Sequence, residues 1–209
     1  MFNESGDRAE MPGVYVGEVT ENDDPEGMAR VKVRFPWREA NDETHWVRMA
    51  TPMAGGDRGT YFLPEVGDEV LVAFAHGDQR FPYVIGALWN TDEKPPQENE
   101  GNNDVRMIRS RSGHEVVLDD GSSDGKVEIV SSAGHTVTLD DASGGEKITI
   151  EDSSGQNSIA FDATAGTLTI EGGTKLELSA TNIDIKGDGQ VTIEASGLLT
   201  LEGAMIKLN

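Results

Sequence analysis

The second half of the chain repeats one short pattern, and this repeat limits the possible folds more than any other feature of the sequence. A ten-residue segment is repeated twice, the second time in weaker form, with its glycine at 113, 134 and 155. Two apolar residues around one polar residue recur eleven times between 116 and 208, at steps that shorten from 11 residues to 7 or 8. Turn-forming Gly, Ser, Asp and Asn separate these triplets. The pattern predicts eleven short strands in a solenoid-like array.

One copy of this ribbon offers too little apolar surface to hold its own fold. Each triplet supplies two inward side chains, and burying one of them stabilises by roughly 1.5–3 kcal/mol. Ordering the backbone costs about 1–2 kcal/mol for every residue, and a lone ribbon leaves long unpaired edges. We therefore predict that three chains wind about one axis, with the apolar pairs at the centre and each strand paired to neighbouring chains.

The first half predicts a small five-stranded barrel of the OB type. No window in it holds a helical period, whereas Val31, Val33 and Phe35 alternate strictly with basic residues. Five short strands in about 80 residues suit a small closed barrel. The predicted strands are Val14–Thr20, Ala29–Phe35, Thr44–Met49, Glu69–Phe74 and Tyr83–Trp89.

Composition divides the chain near residue 95. All eight prolines lie at or before Pro96, and eleven of the twelve aromatic residues precede position 90. We predict an all-β protein with an N-terminal arm at 1–12, an OB-fold at 13–93, a linker at 94–110 and an intertwined β-helix at 111–209.

The charge balance excludes several functions. Lys and Arg number 17 against 38 Asp and Glu, for a formal charge of −21, which disfavours nucleic acid and anionic membrane surfaces as partners. The absence of cysteine excludes disulfides and Cys-ligated metals. The first ten residues lack the pattern of a signal peptide, so we expect synthesis in the cytoplasm.

Several ordered motifs in the first half point to one family. They are Gly27 with ARVKVRFPW at 29–37, WVR at 46–48, PEVGDEVLVAF at 64–74, and then Gly77, Asp78, Pro82, Gly86 and Asn90. This series resembles the OB-fold of VgrG-type spikes of type VI secretion and of baseplate assembly protein V of contractile phage tails. The repetitive tail is similar to the family's triple-stranded β-helix needle. Only about twelve residues precede the OB-fold, so the resemblance is closer to the short phage-type spike than to a full VgrG with its hub module.

The resemblance implies a homotrimeric, membrane-puncturing spike in the baseplate of a contractile injection system. It implies docking on a trimeric hub protein, a PAAR-type tip protein at the other end, an inner tube and effector cargo nearby, and transient contact with a target membrane. We expect no enzymatic activity, no metal and no cofactor. The expected hub contacts are Arg34, Pro36, Trp37, Arg58 and Tyr61, and the expected tip contacts are Met205, Ile206, Leu208 and Asn209.

Three other interpretations stay open at this point. His114 and His135 share one Gly-His frame and, on a three-fold axis, could form metal-binding rings, although repeated turn residues explain them as well. The acidic pairs at 119–120 and 140–141 raise the alternative of a secreted β-helical protein that binds or cleaves carbohydrate, although they recur as turns do. An OB-fold with exposed aromatic residues is also a common nucleic-acid binder, against which the net charge argues.

Overall fold

The computed structural model describes residues 11–39 and 42–207 and divides the chain into two compact units, Met1–Glu98 and Asn99–Asn209. The predicted all-β class is confirmed: in the described ranges the one helical element is a 3-10 turn, Ala75–Gly77. Within the same ranges, no helix has the length and apolar character needed to cross a membrane.

Five strands of the first unit form one curled, OB-like sheet. They are β1 (Val14–Glu21), β2 (Lys32–Arg34), β3 (Arg48–Met49), β6 (Glu69–Phe74) and β7 (Pro82–Leu88). Their order is β2-β1-β6-β7-β3, and all neighbours are antiparallel except β3 and β7. A bridge between Val31 and Val47 joins the two ends of this order, so the sheet curls toward a barrel. Strands β4 (Ala54–Gly55) and β5 (Arg58–Gly59) form a separate hairpin.

The hydrophobic core lies inside this curled sheet. The alternation predicted for β2 is confirmed, because Val31, Val33 and Phe35 are 0–1% exposed while Lys32 and Arg34 point outward. Val70 and Val72 of β6 are fully buried and face them. The remaining buried members are Met11, Val19, Val47, Phe74 and Val84.

The predicted strands differ from the observed ones mainly in length. The second is short because residues 24–30 form a tight loop in which Ala29 has φ of +54°, outside the extended region. The third begins at Arg48 rather than at Thr44. The hairpin at 54–59 was not predicted, because its sequence is rich in glycine and carries no alternation.

The second unit is a seven-stranded antiparallel meander. Its strands are β8 (Val105–Arg109), β9 (Glu115–Asp119), β10 (Lys126–Val130), β11 (Thr136–Asp140), β12 (Lys147–Glu151), β13 (Ser158–Asp162) and β14 (Thr167–Glu171). Each strand has five residues and pairs with its sequence neighbour in full register. Six of the eleven predicted strands are confirmed here. Strand β8 falls in the range assigned to the linker, so ordered pairing begins earlier than predicted.

The meander corrects one part of the prediction. Strands β8–β14 pair within their own chain, whereas the repeat pattern predicts that each strand pairs with neighbouring chains. The steps of 9–11 residues leave room for turns of four to six residues, which let the chain reverse and pair with itself. From 172 to 207, where steps fall to 7 or 8, no strand is assigned in the single chain.

Candidate functional site: assembly surfaces of the two units

An aromatic patch is exposed where the chain leaves β2. The Trp37 ring stacks on Phe35 with centroids 5.1 Å apart and lies 5.7 Å from Tyr15. The Arg38 guanidinium covers the Trp37 ring at 5.1 Å and donates a hydrogen bond to Gln79 at 2.9 Å. Trp37 nevertheless stays 52% exposed. We call Tyr15, Trp37 and Arg38, with the exposed Pro36, the Trp37 patch.

Arg34 and its neighbours form ion pairs along β2. The Arg34 guanidinium lies 2.8 Å from Oε2 of Glu18 on β1. Lys32 is held between Glu21 at 2.6 Å and Glu43 at 3.1 Å, and these carboxylates raise the pKa of Lys32. The same contact with Lys32 lowers the pKa of Glu43. The charge of Arg34 is therefore partly satisfied within the chain before any partner binds.

A second exposed surface surrounds the β4–β5 hairpin. Tyr61 is 75% and Phe62 is 61% exposed, although Leu63 directly after them packs on the core. The Arg58 side chain lies across its own hairpin, since a Cβ at Gly55 would be 2.9 Å from Nε of Arg58. Phe62 was not among the predicted hub contacts. The signal for it was its place beside Tyr61 after a glycine-rich loop.

The structure does not bring the predicted hub contacts into one cluster, since some lie at the Trp37 patch and the others at the β4–β5 hairpin. Among the described residues, every hydrogen bond, ion pair and ring contact of the Trp37 patch is made with residues outside the hairpin. They are two separate surfaces of one unit.

The loop before β2 is fixed by a charged clamp. The Asp24 carboxylate binds the Arg30 guanidinium in a bidentate manner, at 2.7 and 2.8 Å, and accepts the backbone N–H groups of Glu26 and Met28. The Arg30 guanidinium, and then the backbone donors, hold the pKa of Asp24 well below its usual range. This clamp closes the loop that leads into β2.

One face of the meander is apolar along its whole width. Alternate residues of the seven strands stand in two columns, and their apolar members other than Val137 are 36–57% exposed. Seven strands span on the order of 30 Å at a spacing of about 4.8 Å. We call this surface the apolar face. Its columns are Ile108, Val116, Ile129, Val137, Ile150, Ile159 and Ile170, and Arg106, Leu118, Val127, Leu139, Ile148, Phe161 and Leu168.

The opposite face of the meander is mostly polar and carries a row of alternating charges. Asp119, Lys126, Asp140, Lys147 and Asp162 are direct cross-strand neighbours in that order. Opposite charges on facing strands favour this register, since a slip would place like charges together. The charged row therefore suits a solvent-facing surface, and the apolar face opposite it does not.

The two candidate metal-binding histidines are turn residues with a structural role. Nδ1 of His114 accepts a hydrogen bond from the Ser132 backbone N–H (3.0 Å), and Nδ1 of His135 accepts one from Ser153 (3.1 Å). A neutral imidazole that accepts at Nδ1 carries its proton on Nε2 and has no second lone pair for a metal. Among the described residues, no group of three or more His, Asp or Glu side chains is arranged to hold a metal ion.

The acidic pairs also serve turns. Oδ1 of Asp119 accepts the Gly121 N–H at 3.0 Å, and Oδ1 of Asp140 accepts the Ala142 N–H at 2.9 Å. Asp120 pairs with Arg106 at 2.5 Å. These contacts favour the interpretation as turn residues over a glycosidase pair.

The predicted tip contacts lie at the end of the chain. Met205 and Ile206 are 76% and 50% exposed. Leu208 and Asn209 lie outside the described residues.

Comparison with known proteins bears on the first unit. Residues 15–89 match the family described as the type VI secretion system/phage-baseplate injector OB domain. The match covers 75 of the 209 residues, and this segment is similar to that OB domain. The resemblance noted in the sequence is thereby confirmed, and the ion-paired β2, the Asp24 clamp and the Trp37 patch are features of this OB domain.

Curated relatives of the chain are VgrG proteins. Over 110 residues, half of this chain, it is 31% identical to the type VI secretion system spike protein VgrG1a of Pseudomonas aeruginosa. It is 34% identical over 90 residues, 41% of the chain, to the spike protein VgrG3 of Vibrio cholerae, and 35% identical over 71 residues, 32% of the chain, to the actin cross-linking toxin VgrG1 of that species. The chain is thus distantly homologous to VgrG spike proteins over half its length. The matched segments make up 17%, 9% and 6% of these relatives.

Proposed function

We propose that this chain is a structural central spike of a contractile injection system and acts as a homotrimer. The observation that supports this most is the second unit: among its described residues no side chain is fully buried, while its apolar face is exposed across seven strands. Soluble monomers rarely expose contiguous apolar patches of more than a few hundred Å². Further copies of the same chain, brought together by a baseplate, would cover this face.

The segment after β14 supports the same proposal. Its apolar pairs, such as Leu176 with Leu178 and Ile183 with Ile185, are exposed and have no strand partner in their own chain. Backbone N–H and C=O groups that are removed from water need partners. Three intertwined chains would supply those partners and remove the free edges, which would make the needle stiff enough to push through an envelope.

The injector OB domain would dock on a trimeric hub, and the far end of the chain would bind a PAAR-type tip protein. For the hub, the Trp37 patch and the hairpin with Tyr61 and Phe62 offer exposed aromatic surface, the kind that dominates binding energy at protein interfaces. For the tip, Met205 and Ile206 offer apolar side chains. The role is mechanical, with no substrate turnover, in a baseplate that meets the target membrane only transiently.

Two variants on one strand test the trimer. Ile150 lies on the apolar face and Thr149 on the polar face of β12, so Ile150→Glu places a carboxylate in the proposed interface whereas Thr149→Glu leaves it outside. We expect light scattering to give a mass of about 68 kDa, three times the 22.5 kDa chain, for the natural protein and Thr149→Glu. Ile150→Glu should dissociate. A natural protein that stays at 22.5 kDa at micromolar concentration contradicts the proposal.

A tryptophan pair tests hub docking. Trp37→Ala should weaken co-purification with the hub protein of the same baseplate at least tenfold, because buried aromatic anchors carry about 2 kcal/mol or more at interfaces. Trp89, 70% exposed and outside the Trp37 patch, provides the control Trp89→Ala. Equal hub binding by both variants would show that the patch is not the docking surface.

A further inference from the structure

The two edges of the meander are fastened by different chemistry. We call the turns 110–114, 131–135 and 152–157 the His edge, and the turns 120–125, 141–146 and 163–166 the Asp edge. On the Asp edge, backbone groups connect successive turns directly: the N–H groups of Asp120, Asp141 and Ala163 donate to the carbonyls of Asp104, Gly125 and Glu146 at 2.9–3.0 Å.

On the His edge, side chains connect the turns. The Ser132 N–H donates to Nδ1 of His114, and the Ser153 N–H donates to Nδ1 of His135. In the third turn the acceptor is Oδ1 of Asn157, which binds the Gly173 N–H at 3.1 Å. The described backbone–backbone hydrogen bonds of these three turns stay within one turn.

The local structure of each turn presents its acceptor. In the first two turns a serine hydroxyl, Ser110 or Ser131, accepts the backbone N–H of the histidine four residues on, at 3.0 Å. In the third turn Asp152 replaces serine and binds the Asn157 side chain at 2.7 Å, which lowers the pKa of Asp152 to about 2. The sequence repeat thus encodes a repeated turn-to-turn link, and its degraded third copy keeps the link with a different acceptor.

Only the imidazole acceptors depend on protonation in mildly acidic water. Imidazole is the side chain whose charge ordinarily changes between pH 5 and pH 8, and its protonated form carries N–H on both nitrogens and accepts nothing. A proton on Nδ1 of His114 or His135 would therefore face the backbone N–H of Ser132 or Ser153, and the hydrogen bond between them would be lost. The amide of Asn157 keeps its acceptor at any such pH.

We propose that the His edge is an acid-sensitive fastening that releases two of its three turn-to-turn links when the imidazoles gain protons, while the Asp edge stays closed. The sheet would then loosen along one side only.

Charged side chains lie near both rings. Arg109, Arg111 and Glu115 lie beside His114 in sequence or across the β8–β9 turn, and Arg109 is itself paired with Glu115 at 3.2 Å. Glu151 and Asp152 lie at the turn that His135 contacts. Glu115 and Glu151 also line, with both imidazoles, a hollow of about 460 Å³ at the His edge.

Amide hydrogen exchange of the full chain tests this directly, because each linked N–H reports on one acceptor. Between pH 8 and pH 5, the protection factors of Ser132 and Ser153, corrected for intrinsic exchange, should fall roughly three- to tenfold, the value of one ordinary hydrogen bond. Gly173, bound to Asn157, should change little and is the internal control. Nitrogen NMR at pH 8 should find the imidazole proton on Nε2 of His114 and His135.

Matched variants separate this link from general acid effects. His114→Asn with His135→Asn copies the acceptor of the third turn and should abolish the pH dependence at Ser132 and Ser153. The control variant His45→Asn with His76→Asn removes two histidines of the OB unit and should keep the pH dependence at Ser132 and Ser153. Equal protection of Ser132, Ser153 and Gly173 at both pH values in the natural protein overturns the proposal, as does a proton on Nδ1 at pH 8. Neither result depends on whether the chain is a trimer.

Discussion

A single methyl group at Gly17 should destabilise the OB unit more than its size suggests. Gly17 lies in β1 and is buried, and a Cβ built there would be 2.4 Å from Cγ1 of Val33, 3.1 Å from the Arg34 carbonyl oxygen and 3.3 Å from the Phe35 ring. Ordinary contact begins near 3.4 Å, so Val33 would have to move by about 1 Å. Val33 is fully buried and its strand is held by ion pairs, so it has no free direction in which to move.

We expect Gly17→Ala to cost about 1–3 kcal/mol, the usual range for overpacking a buried site. Gly86 in β7 provides the matched control: it lies in the same sheet, is exposed, and has no heavy atom within 4 Å of its added Cβ. Gly86→Ala should be neutral or stabilise by up to about 1 kcal/mol, since alanine restricts the unfolded chain.

Tryptophan fluorescence in urea is a suitable assay, because all three tryptophans, at 37, 46 and 89, belong to the first unit. With a denaturant slope of about 1 kcal/mol per molar urea, the midpoint of Gly17→Ala should fall by about 1 M or more. Equal midpoints for Gly17→Ala and Gly86→Ala would refute the packing argument.

Three further outcomes follow from local geometry. Asp24→Asn should release Arg30 and speed tryptic cleavage after it, which mass spectrometry of the digest measures. Ala29→Gly should raise stability by about 0.5–1 kcal/mol in the urea assay, because glycine adopts φ of +54° without strain, whereas Ala87→Gly in β7 should lower it by a similar amount. The pKa of Asp152 is lowered to about 2. The stabilisation that its carboxylate gives the fold is therefore complete above pH 4 and is lost only as the pH falls toward 2. Carboxyl NMR titration measures this pKa.

Each of these has a result that would contradict it. Exposed Asp23 is the control for the clamp, and equal cleavage of Asp23→Asn and Asp24→Asn would show that Asp24 does not protect the loop. If Ala29→Gly and Ala87→Gly changed the stability in the same direction, backbone conformation would not decide their effect. A titration of Asp152 near pH 4 would remove the role given to Asn157.

Sequence patterns predicted those elements whose signals are local. The alternation of Val31, Val33 and Phe35 specified a buried face, and the strand Glu69–Phe74 was placed with the right ends. The ordered motifs from Gly27 to Asn90 pointed to the family that residues 15–89 match. The hairpin at 54–59 and the clamp between Asp24 and Arg30 had no such signal, because one depends on a glycine-rich turn and the other on a side chain six residues away.

The sequence by itself determined which residues of the repetitive half share a face, because side chains alternate along any strand whatever its partner. It could not determine the partner of each strand, since strand pairing is a non-local choice that turn length, register and the surrounding chain decide together. Only the tertiary structure showed that β8–β14 pair within one chain, that a charged row forms opposite the apolar face, and that the ring nitrogens of His114 and His135 are acceptors for the next turn.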